Sequence, residues 1–193
     1  MTNNTGTFNA ALAAFAVHAG PHAGQTLSEL SGAQPTLLAL LRHTGCPFCQ
    51  EAMADLKDAM PELERRGIAP VLVFQTPDAG LAAKMTEASG LENADVVADP
   101  ERKLYDAFGI ERGNLWQVFG PRVVVGVVRV IARGLRPGKK VGGDVMQLPG
   151  TVLVHKGEIL ERHVHRHQGD RANYEQVACS IPLGDHAARP GPA

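Results

Sequence analysis

The chain alternates short continuous apolar runs with longer stretches of helical periodicity. Pro35-Thr36-Leu37-Leu38-Ala39-Leu40-Leu41 is almost wholly apolar and ends at Arg42, the pattern of a strand buried on both faces. From Pro47 to Arg66 the apolar residues Phe48, Met53, Leu56, Met60 and Leu63 recur at helical spacing, and Gly67 supplies the stop. Glu51, Asp55, Asp58 and Glu62 fall on the other faces of that helix and read as its solvated side, with no role assigned. Val71-Leu72-Val73-Phe74 is a second buried strand. Thr76-Pro77-Asp78 opens a helix running through Met85 to about Ser89 and ending at Gly90. Val96-Val97-Ala98 forms a third strand, and Asp99-Pro100 leads into a helix from Glu101 to Phe108. This β, α, β, α order predicts an α/β fold, a central sheet of about five strands with helices on both faces.

The flanking segments read differently. Thr7 precedes helix formers from Phe8 to Phe15, and Gly20-Pro21 ends whatever forms there, so residues 1–24 are expected to be a helical extension. Thr26-Leu27-Ser28-Glu29 matches a capping box. The main domain is expected over 25–180, with an insertion at about 111–147. That insertion carries a branched apolar run from Val123 to Ile131 around Gly126, then Gly134, Pro137, Gly138, Gly142 and Gly143. With Arg129, Arg133 and Arg136, the run reads better as a homo-oligomer interface than as a membrane-surface segment. Trp116 and Phe119 are expected to pack. Thr151 to His155 and Glu158 to Val164 flank Lys156-Gly157, a hairpin signal. A last helix is expected from Asp170 to about Cys179, with Cys179 a small core residue. Residues 181–193, rich in Ala, Pro and Gly, are expected to be a flexible tail.

Composition narrows the class. The chain has 193 residues, 44% of them hydrophobic and 20% charged, which suits one ordinary globular domain able to fold without disulfide or metal staples. A net charge of -1, with Lys and Arg dispersed apart from a cluster near Arg129 to Lys140, argues against nucleic acid as a partner. Arg129 and Arg133 interrupt the longest apolar stretch, so no transmembrane segment is expected. Met1-Thr2-Asn3-Asn4 lacks the positive start of a secretory signal, and a cytoplasmic location is expected.

Three cysteines are too few for a disulfide framework, yet Cys46 and Cys49 stand as C-x-x-C in His43-Thr44-Gly45-Cys46-Pro47-Phe48-Cys49. Cys46 sits where a buried strand hands over to a helix, and the unpaired N–H groups and dipole of a helix start favour a thiolate there. Pro47 suits the first helical turn, because its missing N–H costs nothing at that position. Cys49 is one turn on, close enough to attack an oxidised Cys46. Arg42 and His43, just upstream, could stabilise the thiolate. The competing reading makes the pair half of a zinc site completed by His163, His165 and His167. Their period of two places them on one strand face, where they are expected to be solvated instead. No cofactor and no metal are expected.

The buried strand, Cys-Pro-Phe-Cys at its end, the long helix behind it and the later Gly-Thr-Val-Leu-Val strand with its Lys-Gly hairpin resemble the thioredoxin superfamily. Within it, Leu-Arg-His-Thr-Gly-Cys-Pro-Phe-Cys and Leu-Pro-Gly-Thr-Val-Leu-Val look like the peroxiredoxin-like branch, the alkyl hydroperoxide reductase and thiol-specific antioxidant (AhpC/TSA) proteins. The resemblance covers roughly Gln25 to Val177. It implies thiol redox chemistry in which Cys46 attacks and Cys49 resolves, supported by Thr44, Pro47, His43, Arg42 and Pro149. Thr44 stands only two residues before Cys46, unlike the Pro-x-x-x-Thr-x-x-Cys of true peroxiredoxins, which leaves both a peroxide and a disulfide open as substrate. Pro149 is the candidate for the cis-proline such folds set opposite the reactive cysteine, with an ordinary trans turn proline as the alternative. An external thiol such as thioredoxin or glutathione would regenerate the dithiol. The alternative function is a non-catalytic binding module whose Cys pair is redox-regulated or holds zinc.

Overall fold

Helix α1 (Thr5–Ala14) is followed by α2 (Leu27–Ala33), whose start is fixed by a complete capping box between Thr26 and Glu29. Strand β1 (Thr36–Leu40) then leads into the 19-residue helix α3 (Pro47–Arg65). Strand β2 (Ala69–Phe74), helix α4 (Ala79–Ala88), capped by Asp78, and strand β3 (Asp95–Ala98) continue the alternation. Three short helical elements fill the next stretch: α5 (Lys103–Ala107), α6 (Leu115–Phe119) and α7 (Pro121–Ala132). The hairpin β4 (Gly150–His155) and β5 (Glu158–Val164) and a closing turn of helix, α8 (Tyr174–Ala178), complete the chain. These elements come from a computed structural model that describes residues 5–43, 45–135 and 142–182, with side chains from residue 8 onward. The expected tail lies almost wholly outside the described residues.

The sheet order is β3-β2-β1-β4-β5, with β1, β2 and β3 parallel and β4 and β5 antiparallel. β1 is central and all five of its residues are buried, because both faces of the sheet are covered. Leu37, Ala39 and Leu41 meet Cys49, Met53, Leu56 and Leu63 of α3 on one face. Leu38 and Leu40 meet Leu27, Leu30, Leu104 and Tyr105 on the other. Each large apolar side chain fully buried this way contributes about 1.5–3 kcal/mol.

Several expectations change. Phe8, Leu12 and Val17 are buried in the second of these clusters, so the segment expected to extend from the domain packs into its core. The last helix is five residues long, starting after the Asn173 cap, and Cys179 just beyond it is exposed and not a core residue. Trp116 and Phe119 do not pack, being 76% and 65% exposed. Leu115–Ala132 is, by length and composition alone, long and apolar enough to cross a membrane, so Arg129 does not interrupt the run as expected. Gly120, in extended conformation, divides it into α6 and α7.

Candidate functional site

β1 delivers its last residues to the start of α3 through a tight turn. The Tyr105 hydroxyl donates to the Leu41 carbonyl and pins the end of the strand. Cys46 is the N-cap of α3, with Pro47 in the first turn, and the Cys49 N–H donates to the Cys46 carbonyl at 3.0 Å. The pair therefore occupies the first turn of a 19-residue helix, where free N–H groups and the helix dipole favour negative charge. Both thiols are buried, Cys46 at 1% and Cys49 at 3% exposure.

Arg42 is the sequence candidate placed most directly on the sulfurs. Its guanidinium donates to Cys46 Sγ at 2.8 Å and to the Val145 carbonyl at 2.8 Å, while its backbone N–H points at Cys49 Sγ at 3.4 Å. A hydrogen bond from the Cys49 thiol and the Arg42 charge bring Cys46 down to about 6, against the opposing effect of burial. Cys49 moves the other way, pushed well up by sharing its proton with Cys46 and by burial. The two thiols are thus divided into one ionised and one protonated near neutral pH. Replacing Arg42 by Met removes the cation, so the pH midpoint of Cys46 alkylation is expected to move upward from about 6. An unchanged midpoint in an iodoacetamide rate profile would show that Arg42 does not set it.

His43 is buried beside Gly143, and Thr44 lies outside the described residues. Pro149 precedes β4 with a trans peptide bond and lines a narrow internal cavity together with Cys49, Phe48, His165 and Tyr174. Of the two readings left open by the sequence, the trans proline is the one found.

A strap from Gly142 to Leu148 lies across this site. Gly142 and Gly143 have φ of +68° and +78°, and a Cβ on Gly143 would come within 2.9 Å of His43 Cβ and 3.0 Å of the Arg42 carbonyl oxygen. The Asp144 N–H donates to Gln75 Oε1 at 3.0 Å, and Arg102 and Arg112 hold the Asp144 carboxylate. Gln168 and Arg42 both donate to the Val145 carbonyl. The glycines that marked an irregular insertion in the sequence are the residues that let the strap approach Arg42 so closely.

The histidines depart from expectation. β5 ends at Val164, so His165 and His167 lie beyond the strand, and His165 is buried at 6% exposure instead of solvated. Its ring meets that of His163 edge-on at a centroid distance of 5.1 Å. Burial first, and then the neighbouring His163 and His167, hold His165 down at about 4. Among the described residues no three of His, Cys, Asp and Glu converge so as to hold a metal ion.

A buried His that stays neutral makes stability depend on acid. Between about 4 and the ordinary value near 6.5, the unfolded chain takes up a proton that the folded chain does not, so stability rises with pH across that window. It falls by about 1.4 kcal/mol per pH unit as pH drops through the window, a total of about 3 kcal/mol. His165→Gln should flatten that part of the curve in urea titrations at pH 4.5 and 6.5. An equally steep loss in the variant would remove His165 as the cause.

Glu51 was read as solvated, yet it is 2% exposed. Arg129 of α7 grips it with two hydrogen bonds of 2.7 Å and also donates to the Gly169 carbonyl at 3.0 Å. Arg133, one turn on, reaches Glu51 at 3.2 Å and Asp55 at 2.9 Å, and Arg171 holds Asp55 through two bonds of 2.7 Å. The signal was present in the sequence: Glu51 and Asp55 are four apart on one helix, as are Arg129 and Arg133 on another. The same face of α7 sets Gly126 on the ring of Phe48, where an added Cβ would lie 2.9 Å from Cε1. The insertion is thereby docked directly behind the Cys-Pro-Phe-Cys turn.

A five-stranded mixed sheet flanked by helices in this order is the architecture of thioredoxin-like proteins of the peroxiredoxin type. The chain belongs to the AhpC/TSA antioxidant enzyme family, whose model matches residues 55–167, a span that begins after the cysteine pair. It is similar to prostamide/prostaglandin F synthase of Salmo salar, 25% identical over 163 residues, covering 81% of this chain and 79% of that protein. The Sus scrofa protein of the same name is 26% identical over 166 residues, 84% of this chain and 81% of its own. Among solved structures, the Xanthomonas campestris bacterioferritin comigratory protein superposes with a TM-score of 0.59 at 14% identity, covering 89% of this chain and 92% of that one. A secreted Mycobacterium tuberculosis disulfide oxidoreductase gives 0.53 at 13% identity, over 88% and 95% of the two chains.

Proposed function

We propose that the protein is a thiol-dependent reductase that uses Cys46 as nucleophile and Cys49 as resolving thiol, and that a peroxide is its substrate. The observation that carries this reading is the Arg42 guanidinium 2.8 Å from Cys46 Sγ with Cys49 one helical turn on, an arrangement that favours the thiolate on Cys46 and the proton on Cys49. Cys46 thiolate attacks a peroxide oxygen, an S–O bond forms as the O–O bond breaks, and the departing alkoxide takes a proton to leave as alcohol or water. Cys49 then loses its proton and attacks the Cys46 sulfenic acid, forming the disulfide as water departs. An external dithiol such as thioredoxin, or glutathione, restores both thiols in two exchange steps. Arg42 is suited to the first step as well, because a cation 2.8 Å from the attacking sulfur would favour negative charge developing close to it.

The match to the AhpC/TSA antioxidant enzyme family supports a peroxide as substrate, while the superposition with a disulfide oxidoreductase supports only the fold. The test is steady-state turnover of reduced protein with hydrogen peroxide, an organic hydroperoxide and a mixed glutathione disulfide, coupled to thioredoxin or glutathione. Turnover of a hydroperoxide at least ten times that of the disulfide is expected. Preference for the disulfide would make the protein a thiol-disulfide oxidoreductase. Stoichiometric zinc in purified protein, with no turnover of any of the three, would favour the binding-module reading.

A further inference from the structure

The outward side of α7 is a feature that the redox chemistry leaves unused. Val123, Gly126 and Val130 face the body, while Val124, Val125, Val128 and Ile131 on the opposite side are each 58–68% exposed. α6, joined to it through Gly120, adds Trp116 at 76% and Phe119 at 65%. A surface helix ordinarily turns charged residues to water, and this one turns branched apolar ones, so its face needs a cover.

Charge identifies the cover. From Arg112 to Gly143 the sequence has seven Lys and Arg and no Asp or Glu, in a chain whose net charge is -1. Arg112, Arg129 and Arg133 are engaged by Asp144, Glu51 and Asp55. Arg122 lies at the start of α7 on its exposed side, and Arg136, Lys139 and Lys140 follow the helix in sequence. An apolar helix face with exposed aromatic residues, in a segment whose charged residues are all basic, matches the interface of an anionic lipid leaflet. A second copy of the chain fits less well, since a symmetric contact through this face would set Arg122 near its own counterpart, with no acid in the segment to meet it. Spanning is also disfavoured, because the inner face of α7 is tied to α3 through Glu51.

We infer that α6 and α7 form a membrane-docking surface by which the protein lies on an anionic leaflet, with Trp116, Phe119 and the outer valines of α7 in the headgroup and acyl boundary. This stands independently of the redox reading, although Gly126 on Phe48 places the docked helix next to the cysteine turn.

The chain has one tryptophan, so Trp116 reports on its own surface. The full-length protein is mixed with vesicles of phosphatidylcholine alone and of phosphatidylcholine with 30% phosphatidylglycerol, the latter fraction being roughly that used to mimic an anionic leaflet. Expected are cosedimentation and a blue shift of Trp116 emission with the anionic vesicles, weaker by about tenfold with the zwitterionic ones or at high salt. Val124→Glu with Val128→Glu should lower partitioning by a further tenfold or so while leaving circular dichroism and soluble-hydroperoxide turnover unchanged. Absence of binding to both vesicles, or equal binding to both, overturns the inference. So does a concentration-dependent dimer in light scattering that the same double substitution abolishes, which would assign the face to a second copy.

Discussion

Cys46→Ser is expected to abolish turnover, with a loss on the order of 10³-fold or more, because it removes the member of the pair that is ionised near neutral pH. Cys49→Ser should still permit the first half-reaction, at a reduced rate. Its own thiol is held protonated and buried, so it contributes nothing to the initial attack beyond the hydrogen bond that helps hold Cys46 down. Losing that bond should raise the Cys46 midpoint and slow the first step modestly, while the product accumulates on Cys46 as a sulfenic acid trappable by dimedone. A mixed disulfide trapped there instead would mark a disulfide substrate. If Cys46→Ser kept turnover while Cys49→Ser lost the first step, nucleophile and resolver would be exchanged.

The second large effect falls on stability. Glu51→Ala should destabilise the fold by about 3 kcal/mol, because it leaves Arg129 and Arg133 facing a buried site without their carboxylate. The value sits at the low end for a broken buried pair, since both arginines are about one-third exposed and water screens them. Glu51→Gln should cost less, as it keeps an acceptor for Arg129. Urea unfolding of the two variants checks both magnitudes, and a change below about 0.5 kcal/mol for Glu51→Ala would mean the network contributes no more than a surface pair. Glu51→Ala should also loosen α7 and with it the seat of Phe48.

The central fold was legible because its signals are local. The short unbroken apolar run at Leu37–Leu41 between Pro35 and Arg42 has the length of a strand covered on both faces, and the Thr26–Glu29 capping box and Lys156-Gly157 turn specify their own geometry. The Cys46 and Cys49 positions were legible for the same reason, since strand-to-helix context is read from neighbours in sequence. Long-range relations were not. Glu51 looked solvated because its partners Arg129 and Arg133 lie some 80 residues away, in a helix the apolar pattern did not place. The strand itself ends at Val164 as expected, but its period of two was carried past that end to His165 and His167, so the burial of His165 was missed. Trp116 and Phe119 reversed the ordinary expectation for aromatics, and a surface that opposes the general rule is what pointed to docking. Cys179 was taken for core because a helix of nearly ten residues was expected where five form.

The division of labour between the two thiols is tested most directly by adding one equivalent of cumene hydroperoxide to the fully reduced protein, then counting free thiols and mapping disulfides by mass spectrometry. The expected result is the loss of two thiols per chain and a Cys46–Cys49 disulfide, with Cys179 still free and exposed to alkylation. A Cys46–Cys179 bridge, or hydroperoxide left unconsumed while all three thiols remain reduced, would contradict it.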